Sequence, residues 1–442
     1  MGTAGSQNLS HTANTTTHAA TALWHFAQTW FEEFPHYKPA DEQLSLWTES
    51  YGGRYGPGFV DYFMRQNEAI QNGTISGPGT HYLHLNTLGI INGCIDTAEI
   101  MRAYGTFPYH NTYGIDAFNE SQYHSVMYEL TRDNGIIDRI KECQRLQKKL
   151  DPNDHGDVER VNTYCMNASR DGEMATSGVY LAARKYGWFD ITHPLADPFP
   201  PPYQTGFLNQ HWVQKALGVP VNHSFVSEAV AISFSATGDM FRSGLVEDIA
   251  YILDHGVRVA MMYGDRDYAC NWVGGEAASL KVPWDHQADF ENAGYTPLVV
   301  SPLQSGGLTR QHGNLSFTRV YQAGHMVPSY QPEAAYKIFM RAITGRDIAT
   351  GTIDLQDFAS SHGIEHTTEG PKDTWRKLND ILPSPPHECY VLAPQSCSKE
   401  ERQWIQDGTA IVKDWVVVGN NAATDISNVL NTDEQQPLSP DE

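Results

Sequence analysis

Between residues 18 and 34 the apolar side chains Leu23, Phe26, Ala27, Trp30, Phe31 and Phe34 recur at three- and four-residue spacing, which predicts a helix stopped by Pro35. The apolar run QLSLWT (43–48) predicts a short buried strand, the glycine-rich ESYGGRYGP after it a turn, and helical spacing resumes over 59–70. HYLHLNTLGII (81–91) predicts a second strand, ended by Asn92-Gly93. VRVAMMYG (257–264) predicts a strongly apolar strand, and SFTRVYQAG (316–324) alternates as a strand does. Helical patterns occupy 242–255 and 331–345, the latter with Pro332 in its first turn and Gly345 past its end. This strand–helix alternation predicts an α/β fold with a mainly parallel sheet. From about 104 to 230 the pattern changes. That stretch is rich in Tyr, Asn, Asp and Pro, with DPFPPPY at 197–203, and predicts an inserted cap outside the sheet.

Composition narrows the classes. Of 442 residues, 40% are hydrophobic and 19% charged, enough apolar material for a core and too little charge for a disordered chain. Thirty Lys and Arg against 52 Asp and Glu give −22, which argues against a nucleic-acid partner, because phosphate binding needs basic patches. No run of about 18 uninterrupted apolar residues occurs, so no membrane span is expected. The 11% aromatic content fits large buried pockets and an ordinary aromatic core equally.

Six cysteines contain no C-x-x-C pair, which removes zinc-ribbon and thioredoxin readings. Cys143 with Cys165, and Cys389 with Cys397, flank polar stretches; each pair reads as a local disulfide, with free buried thiols as the alternative. N-x-S/T sequons begin at Asn8, Asn14, Asn72, Asn119, Asn167, Asn222 and Asn314, which points to a secreted glycoprotein. The opening residues MGTAGSQN nevertheless have neither a basic n-region nor an apolar h-region, so no secretory signal peptide is read in this chain. Gly2 with Ser6 fits the myristoylation pattern loosely and is read as chance.

Three strands are followed by residues of catalytic type: Ser50 after QLSLWT, Asp265 and Asp267 after VRVAMMYG, and His325 after SFTRVYQAG. In open α/β sheets functional groups gather beyond the carboxyl ends of strands, and the order Ser…Asp…His is that of α/β-hydrolases. A serine hydroxyl attacks a carbonyl only with a base in reach, and imidazole titrates in the useful range. The base needs an acid group to fix its tautomer and stabilise the imidazolium. The nucleophile also needs a tight strand-to-helix turn, for which Gly52 and Gly53 supply room, although Thr48 stands where the common G-x-S-x-G elbow has glycine. Taken singly, each residue has a bland reading: a turn serine, a solvated strand end, one of 19 histidines. Their joint order on three strand ends favours a serine hydrolase.

WTESYGGRYGP (47–57), YGDRDYACNW (263–272) and VYQAGHMVP (320–328) resemble the three signatures of the serine carboxypeptidases. ALWHFAQTWFEEFPHYKP (22–39), LGIINGCID (88–96) and PSYQPEAAYKIFMRAITG (328–345) are similar to the fungal, secreted branch of that family, so the resemblance spans about residues 1–350. It implies an α/β-hydrolase fold with an inserted cap: 1–103 as core with the nucleophile, 104–230 as cap, 231–350 as core with acid and base, and 351–442 as a C-terminal extension of mixed strand and loop with a polar, disordered tail. It implies Ser50 as nucleophile, Asp267 rather than Asp265 as acid, His325 as base, and the amide of Tyr51 as an oxyanion donor. Glu49 would help bind the substrate's terminal carboxylate. Cys270, as a free buried thiol, and Met326 would line the pocket, with core packing as the alternative for both. The partner implied is a peptide substrate, with no cofactor and no metal, in a secreted or vacuolar setting.

Members of that family carry an N-G-G-P-G block before the nucleophile strand, which supplies a second oxyanion amide and an Asn that grips the carboxylate. No such block occurs in these residues. The expectation is therefore an N-terminally truncated chain lacking the first sheet strands. The leading function is serine-type carboxypeptidase. The alternatives are a truncated, impaired or inactive relative and, further off, an acyltransferase on the same scaffold.

Overall fold

The structure is a computed structural model that describes residues 11–34, 36, 41–195, 200, 203–375, 379–381 and 387–421. The described residues fall into two compact units, one within 5–197 and 226–384, the other within 198–225 and 385–442.

The larger unit is built on a six-stranded sheet in the order β1-β2-β3-β6-β5-β4. β1 (Gln43–Glu49), β2 (His84–Ile91), β3 (Arg258–Gly264) and β6 (Leu315–Val320) run parallel, in a register that puts Leu46 beside Leu88, Ile90 beside Met261, and Met261 beside Phe317. β5 (Gln304–His312) and β4 (Thr296–Ser301) continue the sheet antiparallel. The continuous apolar run of β3 has a direct cause. Val259, Met261 and Tyr263 join the main core, whereas Ala260 and Met262 join a second cluster with Val320, Ala334 and Ile338. A strand covered on both faces has no polar side to alternate with.

Helices cover both faces. α1 (Thr16–Glu33) and α2 (Gly52–Gln71) share a small cluster of Trp24, Phe63 and Leu83. α1 buries Ala20 and Trp24, while Phe26, Trp30 and Phe34 of the predicted stripe lie on its exposed side. The main core adds Ile100 and Tyr104 of α3 (Thr97–Thr106), Val126 and Leu130 of α4 (Glu120–Thr131), Ile140 of α5 (Ile136–Leu150) and Val161 of α6 (Glu159–Ala175). α7 (Leu245–Asp254) precedes β3, and α8 (Trp272–Leu280) and α9 (Gln287–Asn292) follow it. α10 (Pro332–Ile343) covers the second face, and α11 (Leu355–His362) follows. Among the described residues no strand lies between Ile91 and Arg258.

Three local differences from the sequence pattern have physical reasons. The glycine-rich stretch expected to be a turn is the start of α2, which begins at Gly52 and contains Pro57. Its glycines serve close approach, because a Cβ on Gly53 would sit 2.4 Å from the Cys94 nitrogen and 2.7 Å from the Gly93 Cα. The strand around 316–324 stops at Val320, and all six of its residues are buried, Arg319 included. The hairpin β4–β5 gave little pattern; Gly307 is required there because a Cβ would lie 2.1 Å from the Arg319 carbonyl oxygen.

The smaller unit contains a three-stranded antiparallel sheet, β7 (Cys389–Tyr390), β9 (Val416–Asn420) and β8 (Ala410–Lys413), in that spatial order. Helix Lys399–Gln406 is held at its start by a Ser398–Glu401 capping box. The C-terminal stretch read as strand and loop therefore also holds helices, and the tail expected to be disordered, from 422 on, lies outside the described residues. No helix among the described residues is long and apolar enough to cross a membrane.

Candidate active site

Because β1, β2, β3 and β6 are parallel, the residues following them emerge at one edge of the sheet: Ser50, Asn92, Asp267 and His325. Ser50 joins β1 to α2 at φ 64°, a left-handed conformation that a side chain adopts only at a cost of about 1–3 kcal/mol. The surroundings impose it. The Ser50 amide donates to the Ile91 carbonyl at 3.1 Å, and its carbonyl accepts from Gly53 at 2.9 Å and Cys94 at 3.1 Å. The Thr48 hydroxyl, in the place of the usual elbow glycine, donates to the carbonyls of Gly52 at 2.9 Å and Gly89 at 3.2 Å. It fits because Gly52 and Gly56 leave the space; a Cβ at either would come within 2.7 Å of the Thr48 side chain.

Asp267 is fully buried and accepts four hydrogen bonds. Ala269 N–H binds Oδ1 at 2.9 Å, while Cys270 N–H at 3.0 Å, Asn92 Nδ2 at 2.9 Å and His325 Nδ1 at 2.7 Å converge on Oδ2. Three N–H donors and the imidazole hold the carboxylate in one orientation. His325 is buried, its ring stacked on Phe189 with centroids 4.7 Å apart, and its amide donates to the Phe189 carbonyl at 2.8 Å. Burial disfavours its imidazolium, but the charge and hydrogen bond of Asp267, with a smaller pull from Glu49, outweigh it and raise its pKa above the ordinary value. His325 Nε2 is buried without a hydrogen-bond partner, and Ser50 Oγ makes no hydrogen bond among the described residues. The His325 ring is thus oriented by Asp267, and no hydrogen bond joins it to Ser50 among the described residues.

Asp265 occupies a different network. It pairs with buried Arg319 at 3.1 Å and accepts from Tyr113 at 2.5 Å, Gln322 N–H at 3.0 Å and Asn379 at 2.7 Å. Of the two aspartates in DRD, Asp267 is the one that touches the imidazole.

Glu49, the last residue of β1, has its carboxyl pKa raised. Burial raises it most, His325 pulls it down and Asp267 pushes it up. Tyr51 donates its hydroxyl to Asp239 at 2.7 Å, and Asp239 also holds Arg54 and Thr16, which anchors the start of α2. The Tyr51 amide donates to no backbone carbonyl among the described residues. Met326 follows His325 and is half-buried.

Two features escaped sequence reasoning. Asn92, noticed only as a turn residue, is buried at φ 39°, and its amide ties Asp267 to the Gly264 backbone, accepting from Gly264 N–H at 2.9 Å. The signal available was an Asn-Gly pair directly after a parallel strand. Cys270 is not the free thiol expected: it forms a disulfide with Cys94 across 176 residues. No spacing argument reveals a link between two different strand ends. The bridge joins the residue whose amide holds the Ser50 carbonyl to the residue whose amide holds Asp267. Replacing both cysteines by alanine is expected to lower unfolding free energy by about 3–5 kcal/mol, since the bridge closes a long loop. Denaturant unfolding of wild type and variant checks this; an unchanged midpoint would refute it.

Disulfides also join Cys143 to Cys165 and Cys389 to Cys397. Of the sequon asparagines, Asn72, Asn119 and Asn222 are exposed. Asn14, Asn167 and Asn314 are half-buried, and the amides of Asn14 and Asn314 donate to the carbonyls of Gly156 and Gly256. Asn8 lies outside the described residues.

Comparison with known proteins places these features in context. Residues 3–345 match the family model described as serine carboxypeptidase. The chain is 47% identical over 422 residues to carboxypeptidase S1 homolog A of Arthroderma otae, covering 94% of this chain and 64% of that protein. It is 42% identical over 433 residues to a carboxypeptidase Y homolog of Arthroderma benhamiae, covering 96% and 67%. The chain thus spans just under two thirds of the length of the first of these relatives. Among solved structures it is similar to Kex1(delta)p, a prohormone-processing carboxypeptidase from Saccharomyces cerevisiae, with a TM-score of 0.54 and 17% identity, covering 76% of this chain and 68% of that one. At that identity the likeness bears on the fold alone.

Proposed function

The chain belongs to the serine carboxypeptidase family and has its α/β-hydrolase fold, and from that premise we propose that it is a serine-type exopeptidase removing C-terminal residues from peptides through an acyl-enzyme at Ser50. The observation that carries this reading is the 2.7 Å bond from buried Asp267 to His325 Nδ1, at the same sheet edge as the strained Ser50.

With Nδ1–H held by Asp267, Nε2 carries the lone pair and is the nitrogen left to accept a proton. His325 Nε2 takes the Ser50 proton as Oγ attacks the scissile carbonyl, then gives it to the leaving amino acid; water reverses the sequence and frees the acyl group. The Tyr51 amide, at the N-cap of α2, donates to the developing oxyanion. Cys270, fixed in its disulfide, and Met326 flank this region as pocket residues.

Glu49 supplies the exopeptidase selectivity. A protonated carboxyl can donate a hydrogen bond to a substrate carboxylate, whereas an ionised one repels it. Burial keeps Glu49 protonated to higher pH than usual, so binding of a free C-terminus holds under acidic conditions and is lost as pH rises through the elevated pKa. The KM for peptides is expected to climb with pH, while that for esters lacking a free carboxylate stays flat. Glu49→Gln should remove the climb; a peptide profile that is the same in the variant would discard this role.

Exposed sequons and three disulfides support passage through an oxidising compartment, hence a secreted or vacuolar protein with Asn72, Asn119 and Asn222 as glycan acceptors. The function is tested by incubating the chain with an N-blocked peptide and its C-terminal amide, together with a fluorophosphonate probe. Release of the terminal amino acid from the free acid and probe attachment at Ser50 are expected. Probe attachment without release would favour an impaired relative, and ester formation on adding an alcohol would favour acyl transfer.

A further inference from the structure

Away from the sheet edge that carries Ser50, four side chains from three chain segments converge. His286 precedes α9 and Asp289 lies in its first turn, three residues on, so both stand on one face. His312 ends β5, and Glu365 lies beyond α11 in the segment whose Thr367 pairs with His312. His286 Nδ1 is 3.3 Å from Asp289 Oδ2; His312 Nε2 is 3.9 Å from the same oxygen and 3.7 Å from Glu365 Oε2. Donor atoms of His286, Asp289 and His312 all lie within 4.8 Å of one another.

These separations have the scale of a metal shell. Ligands at about 2.0–2.1 Å around a tetrahedral zinc stand about 3.4 Å apart. Two further observations point to a ligand and away from ordinary packing. His312 is only 6% exposed, yet its Nε2 is buried with no hydrogen-bond partner, and Glu365 Oε2 is likewise buried and unpartnered. Such orphaned atoms are rare and call for an explanation. The other ring nitrogen of His312 is accounted for by the Thr367 hydroxyl at 2.7 Å. When Nδ1–H donates there, Nε2 directs a lone pair at two carboxylates, a clash of like polarity that a cation resolves.

We propose that His286, Asp289, His312 and Glu365 form a zinc-binding site that ties α9, the end of β5 and the segment after α11 together. The mixed set of two imidazoles and two carboxylates suits Zn²⁺, whereas Ca²⁺ requires six to eight oxygens. A cavity of about 590 Å³ lined by these four residues and Thr367 gives the ion an entry path. Gly313 is part of the arrangement: a Cβ there would lie 1.6 Å from Glu365 Oε2, so only glycine lets the carboxylate reach His312.

The test uses the full chain, stripped with a chelator, then titrated with zinc sulfate by calorimetry and desalted for metal analysis, with calcium chloride in parallel. One zinc per chain is expected, with Tm raised by about 2–4 °C at a zinc concentration of ~100 Kd and no response to calcium. Asp289→Ala with Glu365→Gln, which removes both carboxylates of the cluster, should weaken binding at least about 10-fold with an unchanged circular dichroism spectrum, and His312→Gln should abolish the Tm shift. Absence of zinc from the wild type, equal zinc uptake by the double variant, or calcium binding as tight as zinc would overturn the proposal. None of the four residues belongs to the candidate active site, so the outcome is independent of peptidase activity.

Discussion

Ser50→Ala is expected to lower kcat for peptide hydrolysis by about 10⁶-fold, the scale on which a lone nucleophile carries a triad. The mechanism offers no substitute. His325 Nε2 would have no hydroxyl to deprotonate, and what remains is substrate positioning with the Tyr51 amide. Stability should change by no more than about 0.5 kcal/mol, because alanine keeps the Cβ and therefore the left-handed strain at φ 64°. Single-turnover kinetics and thermal unfolding on the same preparation separate the two effects. Activity in Ser50→Ala within about 10-fold of wild type would remove Ser50 from the mechanism.

The two aspartates of DRD are expected to part company. Asp267→Asn should cost about 10⁴ in kcat with the fold intact, as loss of the correct imidazole tautomer does in a triad. The reason is visible in the hydrogen bonds. Both oxygens of Asp267 accept, Oδ1 from Ala269 and Oδ2 from His325, Asn92 and Cys270, so an amide must turn its NH₂ toward at least one donor. Asp265→Asn should do the reverse. It strips the charge partner from Arg319, both side chains being fully buried, and should cost about 3–5 kcal/mol of stability while leaving the kcat of the folded fraction near wild type. Chemical unfolding alongside active-site-titrated kinetics distinguishes them, and the assignment fails if Asp265→Asn is the variant that loses turnover.

How far the sequence reaches is clear from particular residues. The strands at QLSLWT, HLNTLGII and VRVAMMYG and the helix at 331–345 are legible because each carries its own period or apolar run. The β4–β5 hairpin is less so, since Gly306 and Gly307 interrupt it and are needed only where β5 meets β6 and the neighbouring side chains. The start of α2 is misread for a related reason: Gly52 and Gly53 have turn composition, but Gly52 makes room for the Thr48 side chain and Gly53 for the backbone of Gly93 and Cys94, distant in sequence. Ser50, Asp267 and His325 stand out because each follows a strand in a known order. Asn92 stays hidden, as its amide matters only once β2 lies beside β3.

By itself, then, the sequence determined the α/β class, the identity of the parallel strands and the three residue types at their ends, because periodicity and local order are written within a few residues of each position. Only the tertiary structure decided that Asn92 holds Asp267, that Cys270 is bridged to Cys94, and that His312 shares a pocket with Asp289 and Glu365. Each of those is a contact between segments separated by tens to hundreds of residues. Such contacts depend on strand order and on which atoms burial leaves without water, and neither is encoded in any local window.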